Sequence, residues 1–545
     1  MEEKEQENKT SVYISRFLYC CIGLGVILHI VPYFYNRSLW IDEAMLASSI
    51  CTRSFASLIA SPLDWGQSAP IGWLFIVKTL TALFGTSEAV LRCWSLVASF
   101  ACIIVLYLLL KDKIRKNYAL LFTALFSLTD KFIYYGNEVK SYMTDNLCCL
   151  LTLYIWQKYR EKKISLLKMT IVFSVLIWFS FSAVFFIAAC MVIEGVSVLR
   201  TLFKEKEIKQ GIIDLLKCAL VLSSFVLNYI IWLSKTAGNA AGTDYWDLIR
   251  FPAIPRSLND IKLIPVMGAQ VLAFYPGLIA ILLFVLFLIY IIKAVKSRQE
   301  KSYVLVPTVI SVVFLLVASY CGFYPMQDRL LQIYGIVVLI FCAILCEDIE
   351  KSDWDKVIKH TKCNKIRLLY HVVLAEMLIV LGVLGCRNLF PEFVYEPSYE
   401  VAESMNYLDE NLKDDDVVYV YRLSIPVFTY ETDFKVDYND LIKLPRKDYS
   451  NKDYLSGLPY QNDGVIWGQE LYLCDYKIPY SYAGYLDTEA VMEDAELIKN
   501  NKSVYLFTSH GEGGVPDLIK ELRKYGKVST VVDYYDTHLY HYEVK

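Results

Sequence analysis

The chain has 545 residues, 56% of them apolar and 14% aromatic, and its mean hydropathy is positive at +0.38. That composition excludes an ordinary soluble enzyme and calls for lipid as the main solvent of the surface. The 54 basic and 57 acidic residues nearly cancel, which excludes nucleic acid as a partner, because a phosphate backbone is met by a basic surface excess.

Residues 1–16 are polar and mixed in charge, and the apolar run behind them has no small-residue cleavage site, so it reads as a retained first helix after a cytoplasmic tail. Stretches long and apolar enough to cross a bilayer lie at 17–35, 87–110, 118–135, 142–158, 165–180, 182–199, 211–234, 270–292, 303–320, 329–346 and 368–388, about eleven in all. The run from Pro70 to Phe84 is short, carries Lys78 and ends at Gly85, which suits an interfacial helix better than a span. Most of the 15 cysteines, such as Cys102, Cys148, Cys149, Cys190, Cys218 and Cys342, fall inside the spans and read as small hydrophobes rather than as a disulfide framework or a metal site.

Alternate loops are rich in cations. Lys111, Lys113, Arg115 and Lys116 form the first cluster. Lys158, Arg160, Lys162, Lys163 and Lys168 form the second, and Arg200, Lys204, Lys206 and Lys209 the third. The pattern continues with Lys293, Lys296, Arg298 and Lys301, then with the run from Lys351 to Arg367, while the intervening loops are cation-poor. Basic short loops stay in the cytoplasm. The N-terminus is therefore expected inside, and the first external loop (36–86) and everything after residue 390 outside.

From residue 391 the chain turns charged and tyrosine-rich and reads as a separate soluble α/β domain, 391–545, following a membrane domain of 17–390. Asp414–Tyr421 and Ser503–Ser509 have the look of buried strands, Val515–Gly526 has helical spacing closed by glycine, and the segment after it predicts a terminal hairpin. A central parallel pair is expected. Gly511, Gly513 and Gly514 read as a turn, since their spacing is no phosphate fingerprint, and the aromatic residues Tyr419, Tyr421, Tyr430 and Trp467 read as core.

The polar residues at the outer edge of the spans carry the chemistry. Asp42 and Glu43 follow the first helix beside Trp40 and Ile41, where a carboxylate is costly unless it faces a cavity or a partner; ordinary helix capping is the alternative. A second group, Glu138, Lys140, Tyr142 and Asp145, emerges between two spans on the same face, and a third holds Tyr324, Asp328 and Arg329. Arg329, at the head of an apolar helix, is placed to anchor to lipid headgroups or to bind a phosphate at that depth. Carboxylates with a lysine and an arginine suit an anionic lipid-linked substrate: one carboxylate takes an acceptor proton while the cations neutralise a departing phosphate. The six histidines fall outside these clusters, so no Ser–His pairing offers a nucleophile.

These segments resemble the GT-C class of membrane glycosyltransferases, specifically bacterial relatives of glycosyltransferase family 39, which include protein O-mannosyltransferases and lipid A aminoarabinose transferases. The resemblance spans about Tyr13 to Tyr334. It rests on Trp40-Ile-Asp-Glu-Ala44 after the first helix, on Ser68–Ser99, and on Tyr134-Tyr-Gly-Asn-Glu-Val-Lys-Ser-Tyr-Met143. It departs from the family at Ala69-Pro70-Ile71-Gly72, where a proline pair followed by Leu-Tyr is usual. The resemblance implies a GT-C fold, a polyprenyl-phosphate-linked sugar as donor and inverting transfer. It implies a catalytic aspartate at Asp42 with Glu43 as companion, Glu138 and Lys140 completing the pocket, and Arg329 on the lipid phosphate. Some relatives bind a divalent metal near this site; Gln67 stands close to where a ligand would lie, and the sequence supports no metal.

The reading is thus a multi-pass cell-membrane glycosyltransferase, hexosyl- or pentosyl-, acting outside the cytoplasm on a protein, glycan or lipid acceptor among membrane lipids. A transporter or flippase of a lipid-linked saccharide is the alternative, since charges within a membrane serve translocation equally well.

Overall fold

The structure, a computed structural model, describes residues 2–203, 208–236, 263–297, 304–321, 323–351, 360–390, 401–413, 416–420, 424–432, 443–444, 471–472, 495–496, 498–509, 515–534 and 537–545. Helices fall on the apolar runs because lipid offers backbone groups no hydrogen bonds, so each crossing must satisfy its own. Seven described helical stretches are long and apolar enough to cross a membrane.

The long first helix α1 (Glu2–Tyr35) is followed by α2 (Ile41–Thr52), α3 (Phe55–Ala60) and α4 (Ile71–Phe84). Next come α5 (Glu88–Lys111), α6 (Lys116–Ser127), α7 (Asp130–Tyr135), α8 (Tyr142–Arg160), α9 (Leu166–Leu176), α10 (Ala183–Phe203) and α11 (Ile208–Asn228), the last prolonged by a π turn over Tyr229–Leu233. The bundle is completed by α12 (Leu263–Leu272), α13 (Gly277–Ser297), α14 (Leu305–Tyr320), α15 (Gln332–Lys351) and α16 (His360–Gly385).

Several boundaries differ from those expected. The run 118–135 is two helices, broken where the Thr129 hydroxyl donates to the Leu125 carbonyl (2.7 Å) and Asp130 opens a new first turn. The run 165–180 stops at Leu176, and the segment after it turns back to meet α4: Gly72 N–H donates to the Trp178 carbonyl at 2.9 Å. A Cβ at position 72 would lie 2.8 Å from that oxygen. This close approach requires a glycine at position 72. The helix Ile71–Phe84 itself forms as expected and ends at Gly85, whose φ of +91° suits glycine.

At the other end of the chain α17 (Val401–Asn411), β1 (Val417–Val420), α18 (Ile425–Glu431), β2 (Lys443–Leu444), β3 (Leu471–Tyr472), β4 (Ser503–Ser509), α19 (Val515–Leu522), β5 (Gly526–Asp533) and β6 (Thr537–Val544) form a small sheet domain. Its main sheet has the order β1-β4-β6-β5, with β1 and β4 parallel and the β5/β6 hairpin antiparallel, as the sequence suggested. Side chains alternate across a strand. Val504 and Leu506 therefore pack under α19 with Leu518 and Leu522, while Tyr505 and Phe507 face the opposite way. That second face belongs to a core shared with α2 and α4, through Leu46, Ile50, Trp73 and Leu74. Tyr419 and Tyr430 are buried core residues as expected. Gly511, Gly513, Gly514, Tyr421 and Trp467 lie outside the described residues, as do Lys204, Lys206, Arg298 and Lys301.

Candidate active site

After α1 the chain reverses at Asn36, whose φ of 51° is tolerated by a short polar side chain. α2 then starts with two acidic residues in its first turn, favourable at the positive end of a helix. The two carboxylates diverge. Glu43 bends back to accept from the Trp40 N–H (3.3 Å) and is wholly buried. Its Oε2 lies 2.8 Å from Arg37 Nη1 and 2.9 Å from Arg92 Nη2. Its Oε1 accepts from Arg92 Nε at 3.1 Å and from the Val139 N–H at 2.8 Å. Burial disfavours this charge, but the two guanidiniums outweigh it and hold the carboxyl at about 2. Capping, the alternative weighed for this pair, is what Glu43 does, while it also fastens α2 to α5 and to the loop before α8.

Asp42 is turned to the other side. Its Oδ2 lies 3.1 Å from Arg329 Nη1 and 3.9 Å from Lys140 Nζ. It stays partly accessible, with 24% of its side chain exposed, whereas Glu43 has none. Lys140 also donates to Gln67 Oε1 at 2.8 Å, so its ammonium sits between Asp42 and Gln67. Burial lowers the affinity of Lys140 for its proton, and Asp42 opposes that. Arg329 is carried by a short 3-10 turn over Asp328–Leu330, immediately before α15. Lys131 at the start of α7 pairs with Asp328 (3.8 Å).

Glu138 is buried under the same loop, whose backbone is pinned by the Ser95 hydroxyl donating to the Glu138 carbonyl at 2.6 Å. Burial, then the negative charge of Glu43, pushes its carboxyl up to about 7. Tyr142 packs edge-on against Tyr135 with ring centroids 5.3 Å apart, within electrostatic reach of Arg329, Glu138 and Asp42. Tyr324 directs its hydroxyl to Ser182 Oγ at 2.8 Å. The structure thus assembles Asp42, Glu43, Glu138, Lys140, Tyr142 and Arg329 at one end of the bundle and sets Tyr324 beside them in a separate polar network.

Among the described residues no group of three His, Cys, Asp or Glu side chains converges as a metal site. The donor set does not suit one either: the Lys140 ammonium lies where Asp42 and Gln67 face each other, and Glu43 is saturated by guanidinium and N–H donors. A cation already belongs to the side chains.

The fold of the bundle is shared with known proteins. Residues 68–232 match the family model described as dolichyl-phosphate-mannose-protein mannosyltransferase. The crystal structure of ArnT from Cupriavidus metallidurans in the apo state aligns over 95% of this chain and 97% of that one, at a TM-score of 0.50 and 11% identity. The same protein bound to undecaprenyl phosphate aligns over the same shares, at a TM-score of 0.54 and 12% identity. The chain has the GT-C fold of these structures. At such identities the structural likeness speaks for the fold, and the family match is confined to residues 68–232. No curated protein sequence matches the chain.

The candidate site also contains residues that leave little signal in the sequence. Arg92 and Arg37 neutralise Glu43, and an arginine inside the apolar run 88–111 was the available signal, because a charge at that depth requires a partner. Gln67, close to where the resemblance would put a metal ligand, accepts from Lys140. Nothing local in the sequence marks Ser180 and Ser182, which bind Asp145.

Proposed function

We propose that this GT-C protein moves a sugar from a polyprenyl-phosphate donor to an acceptor hydroxyl or amine on the extracytoplasmic face of the cell membrane, with inversion at the anomeric carbon. The observation that carries this reading is the Asp42 carboxylate set between two cations, Arg329 at 3.1 Å and Lys140 at 3.9 Å, at the bundle end where three loops meet. The donor chemistry agrees with the undecaprenyl phosphate bound by the structurally similar ArnT.

In the proposed reaction the donor phosphate settles on Arg329 and Lys140, and Asp42, released from them, takes the acceptor proton. The acceptor heteroatom bonds to the anomeric carbon as the bond from that carbon to the phosphate oxygen breaks. The electron pair leaves with the phosphate, where the two cations hold it. With one base and no enzyme nucleophile, a single displacement inverts the centre. Glu43 is a positioning residue in this scheme, since its oxygens are taken up by Arg37, Arg92 and the N–H groups of Trp40 and Val139, which fix α2. Glu138 and Tyr142 lie within electrostatic reach of Arg329.

Sidedness is supported by how the loops sort. The site loops lie at one end. The cation-rich loops meet at the other, where Lys113 pairs with Glu161 (2.7 Å), Lys158 pairs with Asp112, and Lys293 pairs with Asp348 (3.2 Å). By the positive-inside rule the second end is cytoplasmic. The N-terminus then lies inside, and the sheet domain outside with the site.

The test is transfer from a panel of radiolabelled polyprenyl-phosphate sugars in membranes holding the wild-type chain. Release of polyprenyl phosphate, with the label joined to an acceptor through a glycosidic bond of inverted anomeric configuration, is the expected result. Transbilayer movement of the labelled lipid without transfer would favour a flippase.

A further inference from the structure

Asp145 takes no part in the ion pairs of the site, yet it is buried at the head of α8, five residues after Lys140. A buried carboxylate is expensive unless its lone pairs are met. Here they are met by neutral donors alone: Ser180 Oγ at 2.5 Å, Ser141 Oγ at 3.0 Å and the Ser182 N–H at 3.3 Å. Among the described residues no lysine or arginine forms an ion pair with it. Such a carboxylate is retained at a cost that well-packed apolar side chains would avoid, which calls for a role other than stability.

Its partners supply that role. Ser182 uses its hydroxyl on Tyr324 at 2.8 Å, and the Tyr324 hydroxyl also faces the Leu330 carbonyl at 3.5 Å. Leu330 adjoins Arg329, whose guanidinium holds Asp42. Phe185 braces the Tyr324 ring edge-on, with centroids 5.1 Å apart. One hydrogen-bonded path therefore runs from the segment bearing Lys140, through the α9–α10 connection, to the turn bearing Arg329. It joins the mounts of the two cations without touching either head group.

We infer that Asp145, acting through Ser182 and Tyr324, is a positioning residue that sets the turn carrying Arg329 at the correct distance from Lys140 to receive the donor phosphate. The inference rests on the donor reading above. Asp145→Asn keeps the shape but removes the charge that strengthens the hydrogen bonds from Ser180 and the Ser182 N–H, and turns the oxygen facing Ser141 into a donor. The mount of Arg329 then loosens while Asp42 and its base chemistry are untouched.

The experiment measures donor KM, kcat at saturating donor and the binding of polyprenyl phosphate for wild type, Asp145→Asn, Tyr324→Phe and the double variant in the full-length chain. Donor KM and the dissociation constant for polyprenyl phosphate are expected to rise about tenfold in Asp145→Asn and less in Tyr324→Phe. The expected change in kcat is under about threefold, and the double variant is expected to be no worse than Asp145→Asn, as for residues on one path. A fall in kcat at unchanged KM, or additive losses, would overturn it. Amide hydrogen exchange of residues 323–331, read without ligand, gives a second arm: exchange there is expected to quicken in both single variants relative to α4. If wild type neither binds nor uses the lipid while that exchange pattern appears, the donor reading fails and the positioning path stands; unchanged exchange sinks the path.

Discussion

Asp42 and Arg329, 287 positions apart in the chain, meet at 3.1 Å, so the base proposed for this reaction is at rest an internal anion on the proposed phosphate subsite. The same oxygen faces Lys140 at 3.9 Å. A carboxylate held by two cations is a poor base, and a phosphate approaching those cations must compete with it. Donor binding and release of the base are then one exchange.

Asp42→Asn is therefore predicted to do two opposite things. Transfer should fall by about 10²–10⁴, the usual worth of a positioned general base. Polyprenyl phosphate should bind more tightly than to wild type, because Arg329 and Lys140 lose their internal anion. Equilibrium binding of the labelled lipid beside single-turnover transfer checks both; weaker binding in the variant would refute the exchange.

Glu43 is predicted to behave differently although it is the next residue. Glu43→Gln leaves two buried guanidiniums, Arg37 and Arg92, without their anion. Removing one partner of a buried pair costs about 3–5 kcal/mol. The variant should unfold at a clearly lower temperature in detergent, whereas Asp42→Asn should keep its thermal midpoint. Equal midpoints in the two variants would make Glu43 a site residue rather than a structural one.

How much of this was legible beforehand follows from the kind of signal each residue leaves. Lipid imposes long apolar runs, so the bundle could be drawn from the sequence, and the alternation of Val504–Phe507 sufficed for a buried strand. Asp42, Glu138, Lys140 and Arg329 stood out because charge at a membrane boundary is conspicuous. The interruptions were hidden: the break at Leu128–Thr129 and the early stop at Leu176 depend on tertiary contacts such as Gly72 against Trp178. The division of labour between Asp42 and Glu43 was equally hidden, because it is decided by Arg92, 49 residues downstream of Glu43.

Glu138 provides a pH test. Its carboxyl is raised in the folded protein from 4.5 to about 7 by burial and by Glu43, so the fold favours its protonated form. The unfolded chain loses this proton near 4.5 and the folded chain near 7. Its stabilising contribution is thus fully present below 4.5, declines as pH rises towards 7, and is gone above. Glu43 acts in another window, since its lowered carboxyl contributes above 4.5 and loses that only as pH falls towards 2. The thermal midpoint of Glu138→Gln should therefore gain on wild type as pH rises from 5 to about 7.5. Parallel curves for the two proteins would show that Glu138 ionises normally.

The second face of the sheet domain shares a core with the helix carrying Asp42. α18 lies against α2, with Ile425, Val427 and Phe428 buried, and the Tyr430 hydroxyl donates to the Thr86 carbonyl at 2.8 Å. α18 is itself tied to β4 by Ser424, whose Oγ donates to the Ser509 carbonyl (3.1 Å) and accepts the Ser509 N–H (2.6 Å). Clamped from above by this helix and from below by Glu43, α2 has little freedom, and the direction of Asp42 depends on both restraints. Phe428→Ala, which empties a buried aromatic volume at a cost of about 3–5 kcal/mol, should free the outer clamp without touching Arg329 or Lys140. The expected outcome is a lowered kcat with polyprenyl-phosphate affinity within about twofold of wild type, and a milder version of the same split in Tyr430→Phe, which forfeits one hydrogen bond of about 1 kcal/mol. Hydrogen exchange in α2 should rise in parallel. Wild-type kcat in Phe428→Ala together with faster exchange in α18 would mean that the domain can loosen without disturbing Asp42, and its role would then have to be sought in its own surface.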